Sequence, residues 1–192
     1  MKKMRITIAT LSVIALLAAT ASVCRTSAST IEHMSIARLA RTAPLIVRAK
    51  CAGNVARWDA GEIWTFTELE VEDTWKGSAP SRLSIRMLGG SVGSITSTVS
   101  GAPRFQAGED VVLFLEPTKL GDFSIESWAQ GTFRIRRDAR SGRELVTQDT
   151  ASVPTFDPAT RAFAANGVRA ITVDSFRAQV DEALAARNGG VK

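Results

Sequence analysis

From Leu45 to Thr147 the apolar residues recur at every second position, with no helical stretch inserted between the extended runs. Strands that follow one another without crossover helices pair with their neighbours antiparallel. They bury their apolar faces by packing on another layer or by curling onto themselves. The most informative run is Glu62–Trp75. Trp64 and Phe66 lie on one face, which then continues as Glu68, Glu70 and Glu72. Ile63, Leu69 and Val71 lie on the other, together with Thr65, Thr67 and Trp75. One face therefore passes from apolar to acidic along a single strand. A flat sheet over one core has no use for that change, whereas a strongly coiled strand in a small barrel does.

The other extended runs fit the same plan. Leu45–Ala56 places Leu45, Val47, Ala49 and Cys51 on one side and Arg48 and Lys50 on the other. Leu83, Ile85 and Met87 alternate with Arg82, Ser84 and Arg86 after a turn at Lys76–Pro80. Asp110–Glu116 contains Val111–Leu115, apolar on both faces, and is the expected central strand. Gly131–Arg136 and Arg143–Thr147 read as a hairpin around Asp138–Gly142. Residues 89–109 are rich in Gly, Ser and Thr and read as a long loop or weak hairpin.

Helices are expected at both ends. Ser29 and Glu32 have capping-box spacing for a helix over 30–42, stopped by Pro44, which would place His33 beside Ile36 and Ala40. After an irregular stretch with Pro154, Pro158 and Asn166–Gly167, Asp174 reads as an N-cap. Phe176, Val180, Ala183 and Leu184 form the apolar stripe that follows, and Asn188–Gly190 ends it. The expected architecture is α+β: a small antiparallel OB-like β-barrel with an N-terminal and a C-terminal helix. Residues 29–150 form the barrel domain, and 151–192 an irregular linker and a helix packed on it. The barrel core is expected to hold Val47, Leu69, Val71, Leu83, Ile85, Val111, Leu113, Leu115, Phe133 and Ile135.

The first 28 residues read as a signal peptide: Lys2, Lys3 and Arg5, then an apolar run over Ile6–Ala21, then small residues. Export to the periplasm or medium follows. An uncleaved anchor and a lipoprotein at Cys24 are the alternatives, although the apolar run is short for a span and Val23 is a poor lipobox residue. Cleavage after Ala28 removes Cys24, whereas cleavage after Ala21 leaves a Cys24–Cys51 disulfide conceivable. The leader also carries most of the net charge of +5. Lys2, Lys3, Arg5 and Arg25 are four of the 24 basic residues, and none of the 19 acidic ones lies there. The remainder balances to within one charge, which argues against a nucleic-acid partner.

Candidate chemistry is sparse. Gly89–Gly93 spells Gly-x-Ser-x-Gly after a strand, but Ser91 lacks a following helix and the single histidine, His33, precedes it. No Gly-Lys-Ser/Thr follows to make a phosphate cradle. Glu68, Glu70 and Glu72 are spaced for a cation or an acid–base pair, yet alternate like a solvated face. No metal or cofactor motif is present. The four tryptophans, Trp58, Trp64, Trp75 and Trp128, suit a core or the rim of a groove.

Three segments together carry a resemblance: Ala43–Cys51, Ile63–Gly77 with its Trp75-Lys76-Gly77 end, and Phe105–Leu115 with Phe105-x-x-Gly108-Glu109. Over about residues 30–135 the chain resembles the barrel of netrin-like and tissue-inhibitor-of-metalloproteinase-like modules, and a loose set of uncharacterised exported bacterial proteins. The resemblance implies an OB-type fold. It carries over no functional residue: the inhibitors chelate zinc with an N-terminal cysteine, which neither cleavage makes of Cys24, and are stapled by disulfides, whereas this chain has no cysteine after Cys51.

The functional expectation is an exported, non-catalytic binding module whose partner is a secreted protease or another envelope protein. Ser91, Ser94 and Thr96, with Trp58 and Trp64, are the candidate contacts. Inhibition of a secreted metalloprotease and hydrolysis through Ser91 or Glu68–Glu72 are the alternatives. If the leader is processed, N-terminal sequencing of the native protein begins at Ser22 or Ser29. Intact Met1 in a membrane fraction would contradict removal.

Overall fold

The computed structural model describes residues 31–151, 153–165 and 167–188, which form one compact unit. The proposed leader, Cys24, Ser29 and the Gly189–Gly190 stop lie outside them. Helix α1 is Ile36–Thr42 and α2 is Val173–Asn188. The strands in order are β1 (Leu45–Asp59), β2 (Glu62–Lys76), β3 (Arg82–Leu88), β4 (Gly90–Val92), β5 (Ile95–Ser97), β6 (Asp110–Pro117) and β7 (Phe123–Ile125). They continue with β8 (Thr132–Arg137), β9 (Glu144–Gln148), β10 (Thr155–Asp157), β11 (Ala162–Ala164) and β12 (Ile171–Thr172).

Eight strands form one sheet in the order β1-β2-β3-β7-β6-β8-β9-β12. A further β1–β6 pairing closes five of them into a ring. The sheet is mixed: β3 and β7 pair in parallel at Ile85 and Phe123. That corrects the wholly antiparallel expectation. The short β7 and β12 carry too few alternating residues to read as strands from the sequence.

Strand β6 divides two cores. Val111, Leu113 and Leu115 face the ring interior with Val47, Cys51, Leu69, Leu83, Ile85 and Phe105. Val112 and Phe114 face the other way, against Phe133, Ile135, Leu39, Phe176 and Val180. Phe133 and Ile135 therefore belong to the helix-side core and not to the ring, and Val71 is only half-buried. In the helix-side core Phe176 of α2 meets Phe133 at 4.5 Å and Trp75 at 5.7 Å between ring centroids, in tilted packing.

Register shifts between Ile46 and Val47, Arg48 and Ala49, and Cys51 and Gly53 coil the β1–β2 pair. They explain two reassignments of face. Trp75 turns to the helix-side core with Ile46, away from Leu69. Beyond the shift at Ala52, Asn54, Ala56 and Trp58 take over the side that Cys51 occupies, opposite Thr67, Thr65 and Ile63.

The N-terminal segment differs from expectation. Helix α1 starts after Ser35, whose hydroxyl accepts the Arg38 amide, and not after Ser29. Glu32 is extended and bridges in parallel to Phe156, so His33 precedes the helix. The buried Gln130 holds the opposite edge: it accepts the Met34 amide and donates to the Glu32 carbonyl. Gln148, also buried, donates to the Gln130 carbonyl and accepts the Val168 amide. A main chain satisfied on both edges resists joining the helix. At the other end, Thr172 accepts the Ser175 amide, so it caps α2 and Asp174 falls in the first turn.

The two resembling motifs have structural work. Lys76 donates to the carbonyls of Ala40, Arg41 and Ala43, capping α1. A Cβ on Gly77 would lie 2.7 Å from the Pro44 carbonyl oxygen, and its φ is +78°. Gly108 donates to the Cys51 carbonyl at a φ of +85°, while the Glu109 carboxylate takes the Gln106 amide. Leu113→Ala empties a fully buried ring position and is expected to cost about 2–5 kcal/mol in denaturant unfolding. A loss below about 1 kcal/mol would place β6 outside the load-carrying core.

Candidate functional site

Beyond Lys50, where pairing with β6 ends, β1 and β2 run on as an arm from Gly53 to the two-residue turn Ala60–Gly61, with β3 still paired to β2 as far as Trp64. Both turn residues have positive φ, 51° and 86°, as a tight hairpin requires. Strand β4 lies on the arm: a Cβ on Gly90 would come within 2.4 Å of the Thr65 hydroxyl and 3.0 Å of the Ala56 methyl. The Arg104 guanidinium fixes this junction by donating to the carbonyls of Leu88 and Gly89 and to Thr65.

The Gly-x-Ser-x-Gly run is thus accounted for by backbone fit. Gly89 and Gly90 make close approaches, and Gly93 turns the β4–β5 hairpin with a φ of +60°. Ser91 stands within a strand, 2.8 Å from the Thr96 hydroxyl, and not on a strand-to-helix elbow. Ser91, Ser94 and Thr96 come together on this one exposed hairpin. His33 lies on a different element, beside β10.

The two arm tryptophans do not form one platform. Trp58 opposes Ile63 and Trp64 opposes Arg57, so they occupy opposite faces of the ribbon. Trp58 is half exposed, and Val55 at 60% and Ile95 at 53% are the other large apolar residues open to solvent in this region. On the other face Trp64 and Phe66 meet cations in place of a second sheet. Arg57 stacks on Phe66 at 3.8 Å, and Arg86 lies 5.1 Å from Trp64 and 5.0 Å from Phe66. Arg86 is held in turn by Asp59 and Asp122. This is how the apolar half of that strand face is covered. The stacking of Arg57 on Phe66 was missed in the sequence because strict alternation places Arg57 on the wrong side. The Ala60–Gly61 turn, counted outward, would have paired Arg57 with Trp64.

The acidic half is neutralised locally. Glu70 pairs with Arg82, and Glu72 with Lys50 and Arg48. Glu68 is exposed. Arg48 also reaches Asp110 and Glu144, and these hydrogen bonds raise its pKa above the ordinary guanidinium value. Arg134 bridges Glu109 and Asp149 beside Phe105. Such shared carboxylates link strands that are distant in sequence. Among the described residues no three His, Cys, Asp or Glu side chains converge as metal ligands, and no helix is long and apolar enough to cross a membrane.

A groove of about 510 Å³ lies between Met34–Ala37 and α2, with His33, Gln148, Gln179 and Glu182 on its walls. None of the five candidate contact residues lines it. Cys51 is a free thiol, 2% exposed in the ring core, and burial pushes its pKa up. No family model matches the chain, and no curated protein matches it.

The raised thiol pKa has a signed consequence. A neutral thiol is favoured in the folded state, so the unfolded chain releases its proton first as pH rises. Stability falls above the ordinary thiol range of about 8.5. Cys51→Ala is expected to remove that component of the stability–pH slope. The native protein is expected to react slowly with a thiol reagent without denaturant. Rapid labelling would contradict the burial.

Proposed function

We propose that the chain is an exported binding module, built on an OB-type barrel of the netrin-like kind, that holds a protein or envelope partner at the arm end without catalysing a reaction. Support for the barrel comes from the closed five-strand ring and from the resembling motifs, which sit at its turns and core. The observation that carries the function is the exposure of Trp58 and of Ile95 on two adjoining hairpins, with Val55 exposed on the opposite face of the arm. Large apolar side chains open to solvent suit a partner surface. The Ser91 hydroxyl, bonded to Thr96, and the paired Glu70 and Glu72 supply no activated nucleophile or tuned acid.

Because Trp58 and Ile95 are exposed, the double variant Trp58→Ala/Ile95→Ser is expected to leave the melting transition within about 0.5 kcal/mol of the parent. It is expected to lose retention of the partner that the parent captures from an envelope extract. Unchanged retention would remove the arm end from the binding surface. A hydrolytic activity lost in Ser91→Ala or Glu70→Gln would overturn the binding-only reading.

A further inference from the structure

The β8–β9 hairpin carries a second surface that the arm does not use. Between Arg136 and Arg143 the sequence reads Arg-Arg-Asp-Ala-Arg-Ser-Gly-Arg, four cations against one acid. The one acid is turned inward. An Asp138 carboxylate oxygen accepts the amides of Arg140 and Ser141 and the Ser141 hydroxyl, and these bonds hold its pKa below the usual carboxylate range. The turn is closed by Asp138 donating to the Arg143 carbonyl and by Gly142 donating to the Asp138 carbonyl, with Gly142 at a φ of +68°. The tip is therefore a fixed scaffold and not a loose loop.

The nearest carboxylate outside the turn is Glu144. It is shared between Arg48 at 3.0 Å and Arg137 at 3.7 Å. Arg136, Arg140 and Arg143 are exposed, and among the described residues their guanidinium groups make no ion pair or hydrogen bond. Unpaired arginines gathered on a rigid turn repel one another, and an anion with several oxygens relieves that repulsion by bidentate hydrogen bonding.

We propose that this hairpin is a phosphate-contacting finger that rests the protein on an anionic phospholipid surface. The arrangement favours a bilayer over a nucleic acid. Arg136 stands opposite Leu145 and Arg137 opposite Glu144, so the strand cations point to both faces of the ribbon while Arg140 and Arg143 occupy the tip. A tip charged all round can meet several headgroups when it touches a plane. The finger carries no aromatic residue on which a base could stack. Apart from the leader the chain is also nearly neutral, so it offers a polyanion no net attraction beyond the finger itself.

The test is sedimentation of the purified mature chain with vesicles of phosphatidylcholine alone or mixed with phosphatidylglycerol. Binding is expected only with the anionic lipid and is expected to weaken with salt. Each interfacial arginine strengthens partition about fivefold, so Arg136→Gln/Arg140→Gln/Arg143→Gln is expected to lower it by about a hundredfold. Melting should change little, because these exposed guanidinium groups make no ion pair or hydrogen bond among the described residues. Trp58→Ala/Ile95→Ser should bind vesicles normally, which separates this surface from the arm end. The proposal is overturned by no binding to the anionic vesicles, by equal binding of the triple variant, or by displacement with duplex DNA at a lower phosphate concentration than the vesicles present. Displacement by inorganic phosphate at millimolar levels would show a site for the free ion and not for a headgroup surface.

Discussion

The fold depends on β6 being apolar on both sides. Val111, Leu113 and Leu115 supply one wall of the ring core, while Val112 and Phe114 supply the floor on which the helices rest. Such a strand has no solvent face, so elements must cover it on both sides. The ring closes over one face through β1, and α1 and α2 with β8 and β9 cover the other. The remaining features follow from that demand. Lys76 ties α1 to the end of β2, and Gln130 with Gln148 fixes the segment leading into α1.

Polar side chains do the closing where apolar surface runs out. Arg48, Arg86 and Arg134 each bridge two or more carboxylates between strands that are distant in sequence. Arg57 and Arg86 lie on Phe66 and Trp64 where another protein would place a second sheet. The planar guanidinium suits both tasks, since it stacks by its face and hydrogen-bonds by its edge. With these arginines committed to the fold, Val55, Trp58 and Ile95 at the arm and Arg136, Arg140 and Arg143 of the β8–β9 finger are left facing solvent.

Much of this was legible in the chain, for identifiable reasons. Alternation locates β1, β2, β3, β6, β8 and β9, because each has enough residues to show its period. The double-sided character of Val111–Leu115 picks out the central strand. The coiling expected of Glu62–Trp75 is realised as bulges, yet their positions were hidden, since a bulge leaves no residue type that marks it. The shift at Ala52 therefore inverted the facing of Arg57 and Trp58, and the shifts nearer Trp75 moved it between cores. Ser29 and Ser35 both offer a capping hydroxyl before the same helix. The choice is made by Phe156 and Gln130, more than ninety residues away, whose hydrogen bonds hold Glu32 extended. A short strand such as β7, opposite Ile85 at a single pair, cannot be read from three residues.

Native-state hydrogen exchange, read amide by amide, tests most directly the claim that β6 joins two cores. The amides of Val111–Leu115 should exchange only by global unfolding, and their protection should fall together when either core is weakened. Those of Val55–Asp59 in the arm should open locally at much lower free energy. Protection in β6 that is no greater than in the arm would contradict the account.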